Sequence, residues 1–585
     1  MYYKYKTFLF LLVSLLILSI NSFSQEIGAT FCWHSNEIYG GHSYAYNQSI
    51  VKKGLPTDNT HWSANTEWWE NMVEEVEYSG MDYIALLIRG DQPNAPDRGN
   101  GNPKHIPKLV NAMNIRGINS YKLAIFDDCP NSWTGSKNWD VTGGGNYSTS
   151  SPKFDCGDID NYKYIWDYNL KLAIQNIPDE RRYKINGRMV IIFWSVKSSW
   201  MSNFGNGNLK KIIEHIRTQC QATFGFNPYL IVQQNWLVAD SQCNSPLVVD
   251  AVHNWFSSAG NTSWTNYLWN GLKTGVVAPG FGEPESPPFI DPKKGQTLIN
   301  GLNGTVNDGA SLTLLEGFTD AAESAAYWRS KDVTYYEYPN QRLNIVRRYT
   351  KKAFANSLKM EAEGCDYYSD ITTGNSGGAF RDGNLDIVKT TDINGGWNVT
   401  NTQAGEWMEW KELPLLKDTK FQLRYKSTNS ASVSFSVDGT TLSTIILPPT
   451  SGVWSTIDAG IFNNANNGLH TVRLTIVSGS PDINYFLRTD GNSLSGINDL
   501  KFSDDEITVY PNPAKDYLNI KLNHNVNRLE LSLYDISGKI QLNKTISKDD
   551  FDKMRLNISH LNQGIYLLKI TSDKQTITKK INIVR

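Results

Sequence analysis

Between residues 27 and 349 the sequence alternates between short apolar runs and longer stretches whose apolar residues recur three or four apart. The runs Ile27–Trp33, Tyr83–Ile88, Lys122–Phe126, Met189–Trp194, Pro228–Gln233, Val248–His253, Thr274–Ala278 and Ser311–Leu315 read as buried strands. The stretches Trp68–Tyr78, Ile106–Ile115, Lys163–Gln175 and Leu209–Cys220 carry the helical period. Eight strands separated by helices predict an α/β unit, a (β/α)8 TIM barrel over residues 25–356. The main rival is an open doubly wound sheet, but no glycine-rich phosphate loop follows the first strand, which argues against its nucleotide-binding version.

Past Lys359 the helical period stops. Short β runs separated by Gly, Asn, Asp and Ser predict a jelly-roll-like β-sandwich over residues 357–489. Residues 490–505 have the composition of a linker, and residues 506–585 return to short strands with turn signals, a small Ig-like β-sandwich. At the other end, Lys4 and Lys6 precede an apolar run, Phe8 to Ile20, too short to span a bilayer comfortably. Ser22-Phe23-Ser24 then supplies small residues before Gln25, so residues 1–24 read as a signal peptide, with a signal anchor as the rival. No other segment could be a membrane helix, so the mature protein is expected to have no membrane span.

The 56 basic and 58 acidic side chains leave a net charge of -2, with no basic stripe to hold phosphates, which excludes nucleic acid as an expected partner. The 18 Trp and 29 Tyr tilt the balance toward sugars, whose C–H faces pack on aromatic rings, although large cores use the same residues. Export would permit disulfides among Cys32, Cys129, Cys156, Cys220, Cys243 and Cys365. Cys129–Cys156 and Cys220–Cys243 are plausible loop-closing bridges, and no spacing matches a zinc site.

Chemistry in such a barrel sits at the C-terminal ends of the strands. Those ends carry Trp33, His34 and Glu37; Arg89 and Asp91; Asp127 and Asp128; Trp194 and Ser195. Further along they carry Gln233, Gln234, Asn235 and Trp236, then His253, Asn254 and Trp255, then Glu316, Asp320 and Glu323. Polar groups mixed with aromatic rings suit a saccharide site. Glycosidic cleavage uses two carboxyl groups across the scissile bond. Glu316 is the first choice because it ends the last strand and Gly317 leaves room beside it; Asp127 or Asp128 is the second. Each could equally cap a helix or pair with an arginine such as Arg89. His34 and His253 could bond sugar hydroxyls or be satisfied by barrel neighbours, and no tight cluster of metal ligands is visible.

The first unit resembles domain-of-unknown-function family 5010, read as glycoside hydrolases, and more distantly the glycoside hydrolase family 71 and 99 barrels. The resemblance rests on Gly28-Ala29-Thr30-Phe31-Cys32-Trp33-His34, on Trp68-Trp69-Glu70 through Gly80-Met81-Asp82-Tyr83, and on Tyr336-Glu337-Tyr338-Pro339 to Tyr349. It places Glu316 on a motif glutamate and Thr319 where a second one would stand. The second unit resembles family 6 and 35 carbohydrate-binding modules through Met360-Glu361-Ala362-Glu363, Gly377-Gly378-Ala379-Phe380, Gly405-Glu406-Trp407-Met408-Glu409-Trp410, Gly452-Val453-Trp454 and Asp482-Ile483-Asn484-Tyr485-Phe486. This implies a loop-end cleft with Trp454 and Asn484 as sugar ligands, a missing first ring near Asn401, and Glu361 and Glu363 as structural calcium ligands. The third unit resembles the type A sorting domain of type IX secretion in Gram-negative bacteria. Val509-Tyr510-Pro511-Asn512-Pro513, Leu533-Tyr534-Asp535-Ile536-Ser537-Gly538-Lys539, Gly564-Ile565-Tyr566 and Lys579-Lys580 carry that match.

Together these features predict a monomeric, secreted or cell-surface glycoside hydrolase. It would act on a polysaccharide or glycan by paired carboxylates, with no catalytic cofactor, targeted by its sandwich and exported by the type IX machinery. The rival is a non-catalytic extracellular glycan-binding protein with a degenerate barrel site, which the threonine at 319 favours. A protease or esterase ranks last, since neither G-x-S-x-G nor H-E-x-x-H occurs.

Overall fold

The computed structural model describes residues 25–33, 66–90, 101–128, 153–284, 286–321, 323–331, 333–352, 357–463, 468–489, 507–522, 528–535, 539–547, 554–572 and 575–585. His34, Glu37, Asp91, Cys129 and the signal segment lie outside them.

The first unit is built on β1 (Glu26–Phe31), β2 (Tyr83–Ile88), β3 (Lys122–Asp127), β4 (Arg188–Phe193), β5 (Tyr229–Gln233), β6 (Ala251–His253), β7 (Leu272–Val277) and β8 (Leu312–Leu315). All ladders among these strands are parallel, and the order runs β7-β8-β1-β2-β3-β4-β5-β6. Chain order and sheet order therefore follow the same cycle, and the sheet is nearly barrel-like. At the seam no backbone ladder joins β6 to β7; the Thr274 hydroxyl donates to Val252 O across it at 2.7 Å.

Helices α1 (Thr66–Ser79), α2 (Ile106–Ile115), α3 (Ile159–Ile165, extended by a π turn and a further helical turn to Asn176), α4 (Asn208–Phe224), α5 (Gln296–Thr305) and α6 (Gln341–Tyr349) lie between or after the strands. The link from β5 to β6 holds the short helix Asn235–Ala239 and a 3-10 turn, Ser241–Cys243. Between β6 and β7 the expected helix is replaced by a strand, Trp264–Trp269, which forms a hairpin with β7. This is where the structure departs from the regular strand–helix alternation expected of a closed (β/α)8 barrel.

The period of two sorts the strand residues. Ala85, Ala124, Val190, Ile192, Ile231, Val276, Leu312 and Leu314 form an inner cluster. Ile27, Ala29, Phe31, Leu123, Ile125 and Ile191 face outward into the core shared with the helices. Trp68 and Trp69 of α1 close on Phe31 and Trp33 in that outer layer. Burying side chains of this size stabilises by about 1.5–3 kcal/mol or more each.

Residues 357–489 form two antiparallel sheets. One orders Ile387–Lys389, Trp397–Val399, Asp482–Thr489, Thr419–Lys426 and Ser455–Phe462, with Ser357–Glu361 also on Asp482–Thr489. The other orders Tyr367–Ser369, Trp407–Leu415, Gly468–Ser478, Ala431–Val437 and Thr440–Leu447. This sandwich is packed onto the barrel, and one apolar cluster runs through both. Asn340 donates from its backbone N and its Nδ2 to Asp366 Oδ1, each at 2.8 Å. Tyr338 and Arg348 both bond the Glu412 carboxylate, and Lys389 reaches Glu70 at 3.6 Å. The last unit pairs a three-stranded and a four-stranded sheet around its own cluster, including Leu518, Leu531, Leu568 and Ile570.

Cys156, Cys220, Cys243 and Cys365 are buried free thiols. This corrects the expected bridges: Cys220 and Cys243 are not joined, and Cys156 is not paired with Cys129. Burial pushes the thiols of Cys156, Cys220 and Cys243 up to about 12, so they behave as small apolar side chains. Among the described residues no helix is long and apolar enough to cross a membrane.

Candidate active site at the carboxyl ends of the strands

Glu316 follows β8 and continues the inward face of Leu312 and Leu314. It is 8 % exposed, and its Oε2 is buried without a hydrogen bond. Burial raises its carboxyl well above the usual range, and Glu323, Asp320 and Asp128 push it further in the same direction. Gly317 makes the turn behind it. With φ at 57°, its N–H donates to Thr30 Oγ1 at 2.7 Å, and a Cβ there would stand 2.7 Å from the Asp320 Cβ. That tight turn brings Asp320 and Glu323 back beside Glu316, so that one carboxylate oxygen of each lies within 4.8 Å of the others. Glu323 is exposed as a residue, yet protein packed round its carboxyl, with Asp320 beside it, lifts that carboxyl to about 8. The trio is an all-oxygen set that a cation could also use, a cluster the linear spacing did not reveal.

Asp128 continues the inward face of Ala124 and Phe126, and Arg89 Nε holds its Oδ2 at 2.7 Å. Asp127 faces the other way with Leu123 and Ile125, is fully buried, and accepts from Asn169 Nδ2 at 2.7 Å. Of the two aspartates only Asp128 shares the cleft. Thr319 is fully buried; its hydroxyl donates to Cys32 O at 2.5 Å and accepts from Cys32 N at 3.0 Å, tying the turn after β8 to β1.

The ring and amide candidates divide the same way. Trp194 is half-buried above Ile192, with Lys197 Nζ 4.2 Å from its ring centre, and Lys197 also acts on the Glu323 carboxyl. Trp255 is half-buried between Phe126 and His253. Gln233 is half-buried, and its Oε1 has no hydrogen bond. Gln234 is half-buried, and its backbone N–H donates to His253 O at 2.8 Å.

Four expected ligands are taken by the fold instead. Trp33 is 0 % exposed and packs on Trp69; Trp236 is 1 % exposed, its Nε1 donating to Trp194 O at 2.6 Å. Asn235 pins the loop after β4 through both Val196 N, at 3.1 Å, and Val196 O, at 2.7 Å. His253 is buried, donates from Nε2 to Phe193 O at 3.0 Å, and is pushed down to about 4 by burial, so at neutral pH the ring is neutral and its one N–H is spent on that carbonyl. Strand parity is the signal that separates Trp33 and Asp127 from the cleft. Lys197, which lies on a loop, had no signal in the sequence.

In the sandwich, Trp454 is 9 % exposed and donates from Nε1 to Thr391 Oγ1 at 3.2 Å. Asn484 is buried, with Nδ2 bonded to Asp392 Oδ2 at 2.8 Å, and Arg424 grips the same Asp392 through Nε at 2.8 Å and Nη2 at 2.6 Å. Asp392 is thus a hub that the motifs did not mark. Asn401, where the first ring is missing, donates to Ser376 Oγ at 3.0 Å. Glu361 and Glu363 are both buried beside Glu74 of the barrel, and the all-oxygen chemistry of the three suits a hard cation.

Residues 23–367 match the family described as Domain of unknown function (DUF5010), more than half of the chain. Residues 381–488 match Carbohydrate binding module (family 35), and residues 508–584 match Secretion system C-terminal sorting domain. No curated protein matches the chain. Similar solved structures include the C-terminal CBM6 of LamC from Zobellia galactanivorans, 22% identical, covering 23% of this chain and 100% of that one, with a TM-score of 0.18. The CBM6cm-2 module of Cellvibrio mixtus lichenase 5A, in complex with cellotriose, is 21% identical, covering 23% and 98%, with a TM-score of 0.19. CsCBM6-3 from Clostridium stercorarium, in complex with cellobiose, is 18% identical, covering 23% and 94%, also at 0.19.

Proposed function

The chain belongs to the DUF5010 family, and on that premise we propose that its barrel is a glycoside hydrolase acting on an extracellular polysaccharide or glycan. The protein is secreted or displayed at the cell surface and carries a carbohydrate-binding module. The proposal takes the nearly closed sheet as a (β/α)8 barrel of the kind found in families 71 and 99. Glu316 acts as the proton donor and Asp128 as the charged partner, serving as nucleophile or base. Trp194, Trp255 and Gln233 line the sugar cleft.

One observation carries this reading: two inward-facing carboxyls, at the ends of β8 and β3, sit in opposite environments. Burial and three acidic neighbours hold Glu316 toward its neutral form, while Asp128 is paired with the Arg89 guanidinium at 2.7 Å. Glycosidic cleavage needs one acid that is protonated and one that is not, and environments that push two carboxyls apart supply that division. The neutral donor protonates the leaving oxygen, and the anion attacks the sugar carbon or activates water.

A second reading, a glycan-binding protein without activity, is favoured by Thr319, which stands where the resemblance places a second glutamate. The experiment is release of reducing ends from a glycan panel by the full chain, alongside Glu316→Gln and Asp128→Asn. Release by wild type and loss in both variants supports the hydrolase. Release by all three keeps the enzyme but removes these residues from it. Binding to a glycan without release by any of them establishes the second reading.

A further inference from the structure

The sandwich meets the barrel over the acidic face of α1. Glu363, from the sandwich, is fully buried, and neither of its carboxylate oxygens is hydrogen-bonded to another residue. Its carboxylate points into a space shared with Glu361 of the sandwich and Glu74 of α1, one oxygen from each lying within 4.8 Å of the others. Glu74 and Glu361 are buried as well, so all three carboxylates converge away from solvent.

Two fixed cations already stand at the edge of this cluster. Arg116, just past α2, places Nη2 2.5 Å from Glu74 and 3.7 Å from Glu361, and Lys359 pairs with Glu361. Arg116 also lies over the Trp397 ring at 5.6 Å, so the barrel side chain is inserted into the sandwich. Of the three carboxylates, Glu363 is the one whose oxygens take no hydrogen bond from another residue. A buried charge left so is costly, several kcal/mol as an order of magnitude. Every converging ligand atom is a carboxylate oxygen, the donor type taken by hard divalent cations.

We propose that Glu74 of the barrel joins Glu361 and Glu363 of the sandwich in holding one divalent, oxygen-seeking cation of the calcium type, so that the ion fastens the two units together. The resemblance to carbohydrate-binding modules implied an ion held by sandwich glutamates. The ligand from the barrel is what turns it from a support internal to the module into a clamp between units. Because an ion bound only by the folded, docked form stabilises by mass action, its effect extends to the barrel.

The test uses the full chain stripped with EGTA and titrated with calcium chloride, followed by titration calorimetry and by scanning calorimetry. Wild type is expected to bind a single calcium, with a rise in the unfolding temperature of barrel and sandwich together. Glu363→Gln should abolish binding. Glu74→Gln should weaken it by about tenfold or more and remove the rise of the barrel transition. Absence of calcium binding by wild type overturns the proposal. So does a Glu74→Gln protein that binds as wild type does, since the ion then belongs to the sandwich alone. Should Glu74→Gln fail to fold, Glu74→Asp keeps the charge and withdraws the oxygen by one methylene. An affinity unchanged in that variant also overturns the proposal.

Discussion

Arg89 Nε, at the mouth of β2, stands 2.7 Å from Asp128 Oδ2, at the mouth of β3, so neighbouring parallel strands present the cleft with an ion pair rather than a lone acid. Asp128 thus has a cationic partner, whereas Glu316 is buried toward its neutral form among acidic neighbours.

Removing either member of that division should remove activity. Asp128→Asn and Glu316→Gln are each expected to lower kcat by about 10²–10⁴-fold with the fold intact. Arg89→Met, which removes the ion pair that positions Asp128, should act less severely. Steady-state kinetics with a released-sugar assay checks all three, and an Asp128→Asn protein with wild-type kcat sinks the assignment.

The raised carboxyl of Glu316 also makes a statement about stability. In the unfolded chain it loses its proton near 4.5, whereas the folded protein keeps that proton well above this value. The stability it contributes is therefore complete below about pH 4.5 and is lost as pH rises through the folded value. Glu316→Gln should melt with wild type at about pH 5 and a few degrees above it at about pH 9. Identical melting curves at both pH values contradict the burial argument. Activity that needs the protonated donor should fall over the same alkaline range.

His253 works in the opposite direction. Its folded pKa of about 4 lies below the ordinary 6.5, so the unfolded chain binds the proton first, and stability is lost as pH falls from about 6.5 through about 4. Complete titration is worth roughly 3 kcal/mol at most. His253→Gln should flatten that acid limb in denaturant titrations run across this range.

The barrel should depend on its sandwich. Glu70, Glu74 and Glu75 of α1 are buried. Lys389 of the sandwich pairs with Glu70, Lys359 of the sandwich pairs with Glu361 beside Glu74, and Arg329 N donates to Glu75 Oε2 at 2.9 Å. A chain of residues 25–356 is expected to aggregate or to melt well below residues 25–489, which size exclusion and thermal melting will distinguish.

In the sandwich, Asp392 positions Asn484 while Arg424 holds Asp392. Asp392→Ala should lower affinity for any bound glycan about as much as Asn484→Ala, and the double variant should cost little more than either single one. Additive losses in glycan titrations would show that the two residues act separately.

Much of the barrel could be read from residue order. Ile106–Ile115 and Tyr83–Ile88 occur as the periodicity predicts, and the remaining strands and helices of the first unit shift by a few residues at their ends. Strand parity, applied at each strand end, also places Asp128 and Glu316 inward and Trp33 and Asp127 outward. The hairpin between β6 and β7 was missed because Trp264–Trp269 is followed at once by its partner, with no helical stretch to mark the change.

Sequence alone determined the elements, their order and the face each strand residue occupies, because these follow from sterics and periodicity among near neighbours. Tertiary structure alone decided that Thr319 bonds Cys32, 287 positions away, and that Gly317 turns Asp320 and Glu323 back onto Glu316. It alone decided that the acidic side of α1, which its helical period would leave to solvent, lies buried against Glu361 and Glu363. Local periodicity records which side of an element is polar. Whether water, an arginine or another acid meets that side depends on how distant segments dock, and docking leaves no local signature in the chain.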